Sequence, residues 1–253
     1  MIKFIDENGI IDPKNVAPND DKLSELGVTT CIMLFSAHLF DELCVKYSAV
    51  KVGCFSGTAD MPIYVITVEG KSVAVVKSGI GAPAAVGMAE EILATKCVHN
   101  LVAFGICGSL IDVPTRSFVV PDKAFRDEGT SYHYAPPTDY VELNNADYVE
   151  HALKKSGLST VKGGVWTTDG FYRETKTRMN EMKNNGCIAV DMECSALQTL
   201  CNFRKKNFYT FFITADSLAG GEWEPNYILD VEKHAAPDEI GVAAAVKLAC
   251  ELE

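Results

Sequence analysis

The chain has 253 residues, of which 47% are hydrophobic, and a formal net charge of −11. This length and apolar content suffice for one large globular domain, whereas the negative charge argues against a surface for nucleic acid or anionic membranes. No apolar run approaches the roughly 18 residues of a membrane span, and the N-terminus lacks the apolar core of a signal peptide. Nine cysteines, without the spacing of metal ligands, favour reduced thiols in a cytoplasmic protein that binds no metal.

Alternating apolar segments predict strands and helices along the whole chain. The predicted strands cover residues 29–35, 61–70, 71–78, 100–106, 116–125 and 207–216, and the predicted helices cover 83–96, 146–157, 192–206 and 237–253. Glu69, Gly70 and Lys71 predict a hairpin turn between two of these strands. Near-continuous apolar strands with helices between them favour an α/β fold whose sheet is covered on both faces. No repeat or linker divides the pattern, so we expect a single domain over residues 1–253, with residues 1–27 as an N-terminal extension.

Two glycine-rich segments follow consecutive predicted strands. The first, "KSGIGAPAAVG" (77–87), is typical of a strand, a Gly-x-Gly turn and a helix start, where free N–H groups bind an anion or a polar ligand. Gly79, Gly81 and Ala84 match the spacing of a dinucleotide site, but the next segment, "AFGICGSL", lacks the acid that such sites use for the ribose. A Rossmann cofactor site is therefore disfavoured. The two glycine-rich segments are either two tight turns or two walls of a small-molecule pocket.

The segment "AVDMECSALQTL" (189–200) places two carboxylates, Asp191 and Glu193, among apolar residues. A buried carboxylate needs a partner, because desolvation of an unpaired charge costs several kcal/mol. An internal cation, the N–H groups of a helix start or the hydroxyls of a ligand are the alternatives. For Asp191, a place at the N-terminus of the predicted helix 192–206 explains the charge as well as a functional role does.

Several motifs together resemble those of the nucleoside phosphorylase family, the superfamily of purine nucleoside and uridine phosphorylases. These motifs are "SGIGAPAAVGMAEEI", "AFGICGSL", "VDMECSAL" and "ITADS"; "RDEGTSYHYAPP" and "TTDGFYRET" are similar to segments of uridine phosphorylases. The resemblance covers roughly residues 28–250 and implies a central mixed, partly barrel-like sheet flanked by helices. It also implies a pentosyltransferase that converts a ribonucleoside and phosphate to free base and ribose 1-phosphate, with no cofactor besides this co-substrate.

The resemblance assigns roles on the nucleoside side of the site. Glu193 matches the glutamate that accepts hydrogen bonds from the ribose 2′- and 3′-hydroxyls, and Met192 matches the methionine that packs on the sugar. Asp216 matches the aspartate that protonates a purine leaving group at N7, a task for which a shielded pocket raises the pKa of a carboxyl group. The remaining implied substrate contacts are Phe171 against the nucleoside, His133 near the sugar 5′ end, Arg173 near the base, and Gly105.

The sequence combines features of purine and pyrimidine enzymes. Uridine phosphorylases lack an acid at the position of Asp216 and recognise uracil through a Gln and an Arg after the "FY" element. This chain has "RETKTR" there, with Thr175 at the position of the Gln, although Arg173 and Arg178 are alternative partners for a base carbonyl. We therefore expect a purine nucleoside as the substrate, and uridine is the alternative.

The expected phosphate ligands are replaced. Phosphorylases of the family carry Arg and Ser or Thr where this chain has Ala103 and Ile106, and "LFSAHLFDEL" (34–43) replaces their "G-D-P-x-R" loop. Because Arg binds phosphate through two parallel hydrogen bonds, Arg126 is the first candidate substitute. Further candidates are Ser36, His38, Ser109 and the backbone N–H groups around Gly81. Two alternatives stay open: water replaces phosphate as in the nucleosidases, or the chain binds nucleosides without cleaving them.

The resemblance also implies an assembly, because members of the family build their active sites at subunit interfaces. We expect a dimer-based homo-oligomer, with a hexamer as the favoured form. The segment "SYHYAPP" (131–137) is a candidate interface element because Tyr is enriched at interfaces. A nucleoside and phosphate are the expected small-molecule partners.

Overall fold

The computed structural model describes residues 3–7, 9–17, 20–55, 61–114, 116–225 and 235–252. The strands are β1 (Thr30–Leu34), β2 (Val50–Cys54), β3 (Pro62–Val68), β4 (Lys71–Lys77), β5 (Asn100–Ser109), β6 (Phe118–Asp127), β7 (Tyr140–Glu142), β8 (Thr160–Thr168), β9 (Cys187–Asp191) and β10 (Asn207–Ser217). The α-helices are α1 (Asp20–Glu25), α2 (Ala37–Lys46), α3 (Ala82–Leu93), α4 (Ala146–Lys155), α5 (Lys176–Asn184), α6 (Cys194–Arg204) and α7 (Ala235–Glu251). Short 3₁₀ helices cover Pro13–Asn15, Ser131–His133 and Phe171–Arg173. No helix in these described ranges is both long and apolar enough to span a membrane.

The strands form one mixed sheet that closes partly into a barrel. Its order is β10-β6-β8-β9-β5-β1-β4-β3-β2, with β7 beside β6. A further pairing joins β10 to β5, so the five strands β10, β6, β8, β9 and β5 form a closed ring. The strands β1, β4, β3 and β2 continue from β5 as an open sheet. The predicted α/β fold with a mixed, partly barrel-like sheet is confirmed.

The predicted elements are present, and several others were missed. The six predicted strands correspond to β1, β3, β4, β5, β6 and β10, and the four predicted helices to α3, α4, α6 and α7, although residue 253 lies outside the described residues. The predicted hairpin joins β3 to β4 through Glu69 and Gly70, which both have positive φ. The strands β2, β7, β8 and β9 and the helices α1, α2 and α5 were not predicted, α1 lying within the expected extension 1–27. The strand β8 was not predicted because its segment "KGGVWTT" lacks a continuous apolar run.

Two apolar clusters hold these elements together. The larger one includes side chains of the open sheet, the barrel and the helices α2, α3, α4, α6 and α7. A smaller cluster contains Leu110, Phe125, Trp166, Met179, Met182, Cys187 and Val190. Because this cluster joins β6, β8 and β9 to α5, it fixes the end of β9, where Asp191 lies.

Candidate active site

The carboxyl ends of β5, β9 and β10 meet around Gly108. This residue pairs with Val190 of β9 and is in register with Asp216 of β10. A Cβ atom at position 108 would lie 2.9 Å from Val190 Cγ1 and 3.2 Å from Asp216 Oδ1, so a side chain here would displace the carboxylate. The prediction of a second glycine turn is wrong, because β5 continues through Ser109. The glycine instead provides the space for Asp216.

The first glycine turn contacts the acidic segment. Gly81 is the N-cap of α3 with a φ of 96°, a conformation that favours glycine. Its backbone N–H donates a hydrogen bond of 2.5 Å to Glu193 Oε1, 112 residues further along the chain. The neighbouring Ile80 is exposed, and Met192 is half-buried. The start of α3 and the start of α6 therefore form one wall of a site.

Glu193 is a largely desolvated carboxyl group. Burial, followed by the negative charge of Asp191, raises the pKa of Glu193 above its usual range, and the Gly81 N–H opposes this shift. A ligand diol would add donors that favour the ionised carboxylate. This environment fits a carboxyl group whose partner arrives with a substrate.

Asp191 has its partners within the chain. Its Oδ1 accepts a hydrogen bond of 2.7 Å from Thr167 Oγ1, and its Oδ2 accepts bonds of 2.9 and 2.6 Å from the N–H groups of Glu193 and Cys194. Thr167 Oγ1 in turn accepts a bond of 3.0 Å from the Ser195 N–H. Of the alternatives for Asp191, the structure supports the carboxylate at a helix start. Asp191 holds the backbone of Glu193 in place.

Asp216 lies at the other end of the site. It is 5% exposed, and its Oδ2 accepts a hydrogen bond of 2.8 Å from Trp223 Nε1. Burial raises the pKa of Asp216. Burial and the charges of both Asp191 and Asp216 raise the pKa of the Cys107 thiol, so the two acids lie near the same residue. Burial and the charge of Asp216 also raise the pKa of the half-buried Glu174 to about 7.

The other predicted substrate contacts lie on the surface or along β5. Phe171 and Arg173 are exposed on one 3₁₀ helix, and His133 is exposed on another. Gly105 is half-buried, and a Cβ atom there would lie 3.1 Å from the Phe35 ring. Within the described residues, no hydrogen bond or ion pair joins these four residues to Glu193 or Asp216. Their roles stay predictions.

Arg126, the first candidate for phosphate, is engaged within its own loop. It is buried and stacks on the Tyr132 ring, with the guanidinium carbon 4.2 Å from the ring centroid. It donates to Ser131 Oγ at 2.8 Å, to the Pro136 carbonyl at 2.7 Å and to Thr138 Oγ1 at 2.9 Å. These contacts make Arg126 the residue that holds the loop together. Its role in phosphate binding stays a prediction.

The other side chains proposed as phosphate ligands also have polar contacts within the chain. Ser36 caps the start of α2, and the exposed His38 has its Nε2 3.3 Å from Glu42 Oε1. Ser109 donates a hydrogen bond of 2.7 Å to the Ile111 carbonyl. The roles of these side chains in phosphate binding stay predictions.

We expect Arg126→Met to destabilise the protein by about 1–3 kcal/mol, because it removes the hydrogen bonds of a buried guanidinium and leaves the buried Ser131 Oγ without this donor. Denaturant unfolding measures this loss, and the exposed Arg173→Met is the matched control. If Arg126→Met keeps its stability but raises the KM for phosphate tenfold or more, Arg126 is a phosphate ligand after all.

The stability of the protein is expected to fall as the pH rises. Burial raises the pKa of Asp191, Glu193 and Asp216, and that of Glu174 to about 7, whereas unfolded carboxyl groups titrate near about 4. Between about pH 4 and about pH 7 the folded state therefore binds more protons than the unfolded chain, and the free energy of unfolding decreases with rising pH. Thermal melts at constant ionic strength should give a higher Tm at pH 5 than at pH 8. Glu193→Gln should make this slope shallower; a Tm that increases with pH contradicts the account.

Comparison with known proteins identifies the family and the fold of the chain. The sequence profile of the phosphorylase superfamily matches residues 29–247. The chain belongs to this superfamily. DeoD-type purine nucleoside phosphorylases of Bacillus thuringiensis (strain Al Hakam) and Bacillus mycoides (strain KBAB4) are 30% identical to it over 190 residues, which are 72% of this chain and 81% of each relative. The crystal structure of AMP nucleosidase from Bacteroides thetaiotaomicron VPI-5482 has the same fold, with a TM-score of 0.67 at 19% identity over 88% of this chain and 87% of that one.

Three site residues of this superfamily member were not predicted from its sequence. They are Thr167, Glu174 and Trp223. The only available signals were the position of Glu174 after the "FY" element and the isolated tryptophan in "GGEWEP". Neither signal shows that the side chain approaches a buried aspartate.

Proposed function

We propose that this protein cleaves the N-glycosidic bond of a purine ribonucleoside. The observation that supports this most directly is the pair of carboxyl groups at element ends, with the half-buried Glu193 bonded to the N–H of Gly81 and the buried Asp216 beside Gly108. The raised pKa of Asp216 suits a general acid, and the N–H contact of Glu193 places it against the glycine turn of α3. The relatives named purine nucleoside phosphorylases support the purine base.

The proposed reaction breaks the bond between C1′ of the ribose and N9 of the base. The electron pair leaves with the base, and Asp216 donates a proton to N7, which contributes about 10²–10⁴-fold to the rate. Glu193 accepts hydrogen bonds from the 2′- and 3′-hydroxyls, and its charge stabilises the cationic sugar. The acceptor oxygen then bonds to C1′, and the proton that the acceptor releases returns to Asp216.

Phosphate is the first candidate acceptor and gives ribose 1-phosphate. The relatives named phosphorylases support it, as does the start of α3, where a helix leaves the N–H groups of its first turn without intrahelical partners. Water is the second candidate and gives free ribose. It is favoured by the engagement of Ser36, His38, Ser109 and Arg126 in contacts within the chain.

The test is incubation with adenosine, inosine and uridine, each with and without phosphate, followed by chromatography of the base and the sugar. Release of purine base that requires phosphate and yields ribose 1-phosphate supports phosphorolysis. Release without phosphate that yields ribose supports hydrolysis. No release of base from any nucleoside overturns the proposed function and favours a binding protein without catalysis.

We further propose that the protein is a dimer-based homo-oligomer, with a hexamer as the favoured form, in the cytoplasm. The structure shows no disulfide between the cysteines it describes, which supports a reducing compartment. Sedimentation at micromolar concentration should give a mass of at least two chains. A monomer under these conditions contradicts the proposal that neighbouring subunits complete the site.

A further inference from the structure

Glu128 is a buried carboxyl group that the proposed reaction does not use. It follows β6 and begins the loop 128–139, which leads to β7. Its Oε2 accepts a hydrogen bond of 2.9 Å from the Ser131 N–H of the same loop, and its Oε1 accepts one of 2.9 Å from Ser195 Oγ of α6. Burial of a carboxyl group is costly unless donors satisfy it. Glu128 therefore joins the loop to α6 through two buried donors.

Ser195 lies two residues after Glu193, in the first turn of α6. The backbone N–H groups of a first turn have no partners within the helix and need others. The Ser195 N–H donates to Thr167 Oγ1 of β8 at 3.0 Å, while its hydroxyl donates to Glu128. This one residue therefore fixes the start of α6 to β8 through its backbone and to the loop 128–139 through its side chain.

A continuous network of hydrogen bonds runs from Glu128 to Glu193. Ser195 links Glu128 to Thr167, and Thr167 donates to Asp191 Oδ1 at 2.7 Å. Asp191 Oδ2 in turn accepts the Glu193 N–H at 2.9 Å. The members of the network from Glu128 to Asp191 are all buried. Because bulk water does not reach them, a bond that is lost within the network leaves a polar group unsatisfied or forces the backbone to move.

We propose that Glu128 is a positioning residue for Glu193, and that it links the loop 128–139 to the orientation of the ribose-binding carboxylate. This inference rests on the proposed function, in which Glu193 accepts hydrogen bonds from the ribose hydroxyls. Without the bond from Ser195 to Glu128, the first turn of α6 loses a contact that fixes it relative to the start of α3, where the Gly81 N–H bonds to Glu193. A misplacement of about 1 Å can cost about 10²-fold in rate, so a small shift suffices.

Glu128→Gln tests this role in a double-mutant cycle with Glu193→Gln. The amide keeps the size of the side chain but replaces one of its two acceptor oxygens with an NH₂ group. We expect kcat/KM for the best purine nucleoside to fall about tenfold or more in Glu128→Gln, and the double variant to match Glu193→Gln within about twofold. A loss of stability alone would lower activity by the same factor in both backgrounds. The matched control is Glu150→Gln on α4, whose carboxylate pairs with Lys154 and Lys162 and whose replacement should leave kcat/KM unchanged.

Hydrogen exchange separates failure of this inference from failure of the proposed function. In Glu128→Gln the amides of residues 193–197 should exchange at least about tenfold faster than in wild type, whereas those of α4 should not change. Faster exchange in a protein that cleaves no nucleoside supports the positioning of Glu193 and refutes the proposed reaction. Cleavage by wild type with unchanged exchange in the variant, or with additive effects of Glu128→Gln and Glu193→Gln, overturns the inference while the reaction stands. Ser195→Ala removes the same bond from the helix side and should give the same result, so it repeats the test if Glu128→Gln does not fold.

Discussion

Glu193→Gln is expected to lower kcat/KM for a purine nucleoside by at least about 10²-fold, or about 2.7 kcal/mol, without loss of the fold. The amide keeps the size of the side chain, and its Oε1 can still accept the Gly81 N–H bond that the carboxylate accepts at 2.5 Å. It lacks the charge that strengthens the bonds from the ribose diol and stabilises the cationic sugar. Steady-state kinetics with the best wild-type substrate measures the change.

Asp191→Asn distinguishes the role of Asp191, which positions the backbone of Glu193, from the proposed contact of Glu193 with the substrate. Asp191 accepts from the N–H groups of Glu193 and Cys194, so its replacement should reduce stability as well as activity. Glu193→Gln should reduce activity without reducing stability. If a well-folded Glu193→Gln protein has wild-type kinetics, Glu193 does not contact the ribose.

Asp216→Asn is expected to impair purine cleavage by about 10²-fold or more, the usual scale for loss of a general acid. The Asn side chain can still accept the hydrogen bond that Trp223 donates at 2.8 Å, so the local structure should persist. It has no acidic proton for N7 of the leaving base. The measurement compares kcat/KM for adenosine, inosine and uridine in wild type and variant.

Uridine provides the internal control for Asp216. A departing uracil is an anion delocalised over two carbonyl groups, which N–H donors stabilise and a carboxyl proton at N7 does not. Uridine cleavage should be nearly insensitive to Asp216→Asn and should collapse in Arg173→Ala, whose exposed guanidinium is available to a base carbonyl. Arg178 is bound to Asp127 at 2.8 Å, so Arg178→Ala tests the same role with an added cost in stability. Uridine as the best wild-type substrate, cleaved equally well by Asp216→Asn, would refute the purine assignment.

The sequence was sufficient to predict the superfamily and much of the fold. Periodicity located six strands and four helices, because apolar runs interrupted by glycine are strong local signals. It missed β8 and β9, whose glycines and terminal acid weaken that signal although tertiary contacts bury much of both strands. Motif spacing predicted that the glycine turn and the acidic segment belong to one site, and the Gly81–Glu193 hydrogen bond agrees with this.

Only the tertiary structure decided which polar groups already have partners. Arg126 matched the chemistry of a phosphate ligand in the sequence, yet its donors bind oxygens of its own loop. Glu174 gave no motif signal, yet burial and the charge of Asp216, 42 residues later in the sequence, raise its pKa to about 7. The physical reason is that a residue type determines what a side chain can donate, accept or ionise. Burial and distant contacts determine whether that capacity is used within the fold or left for a ligand.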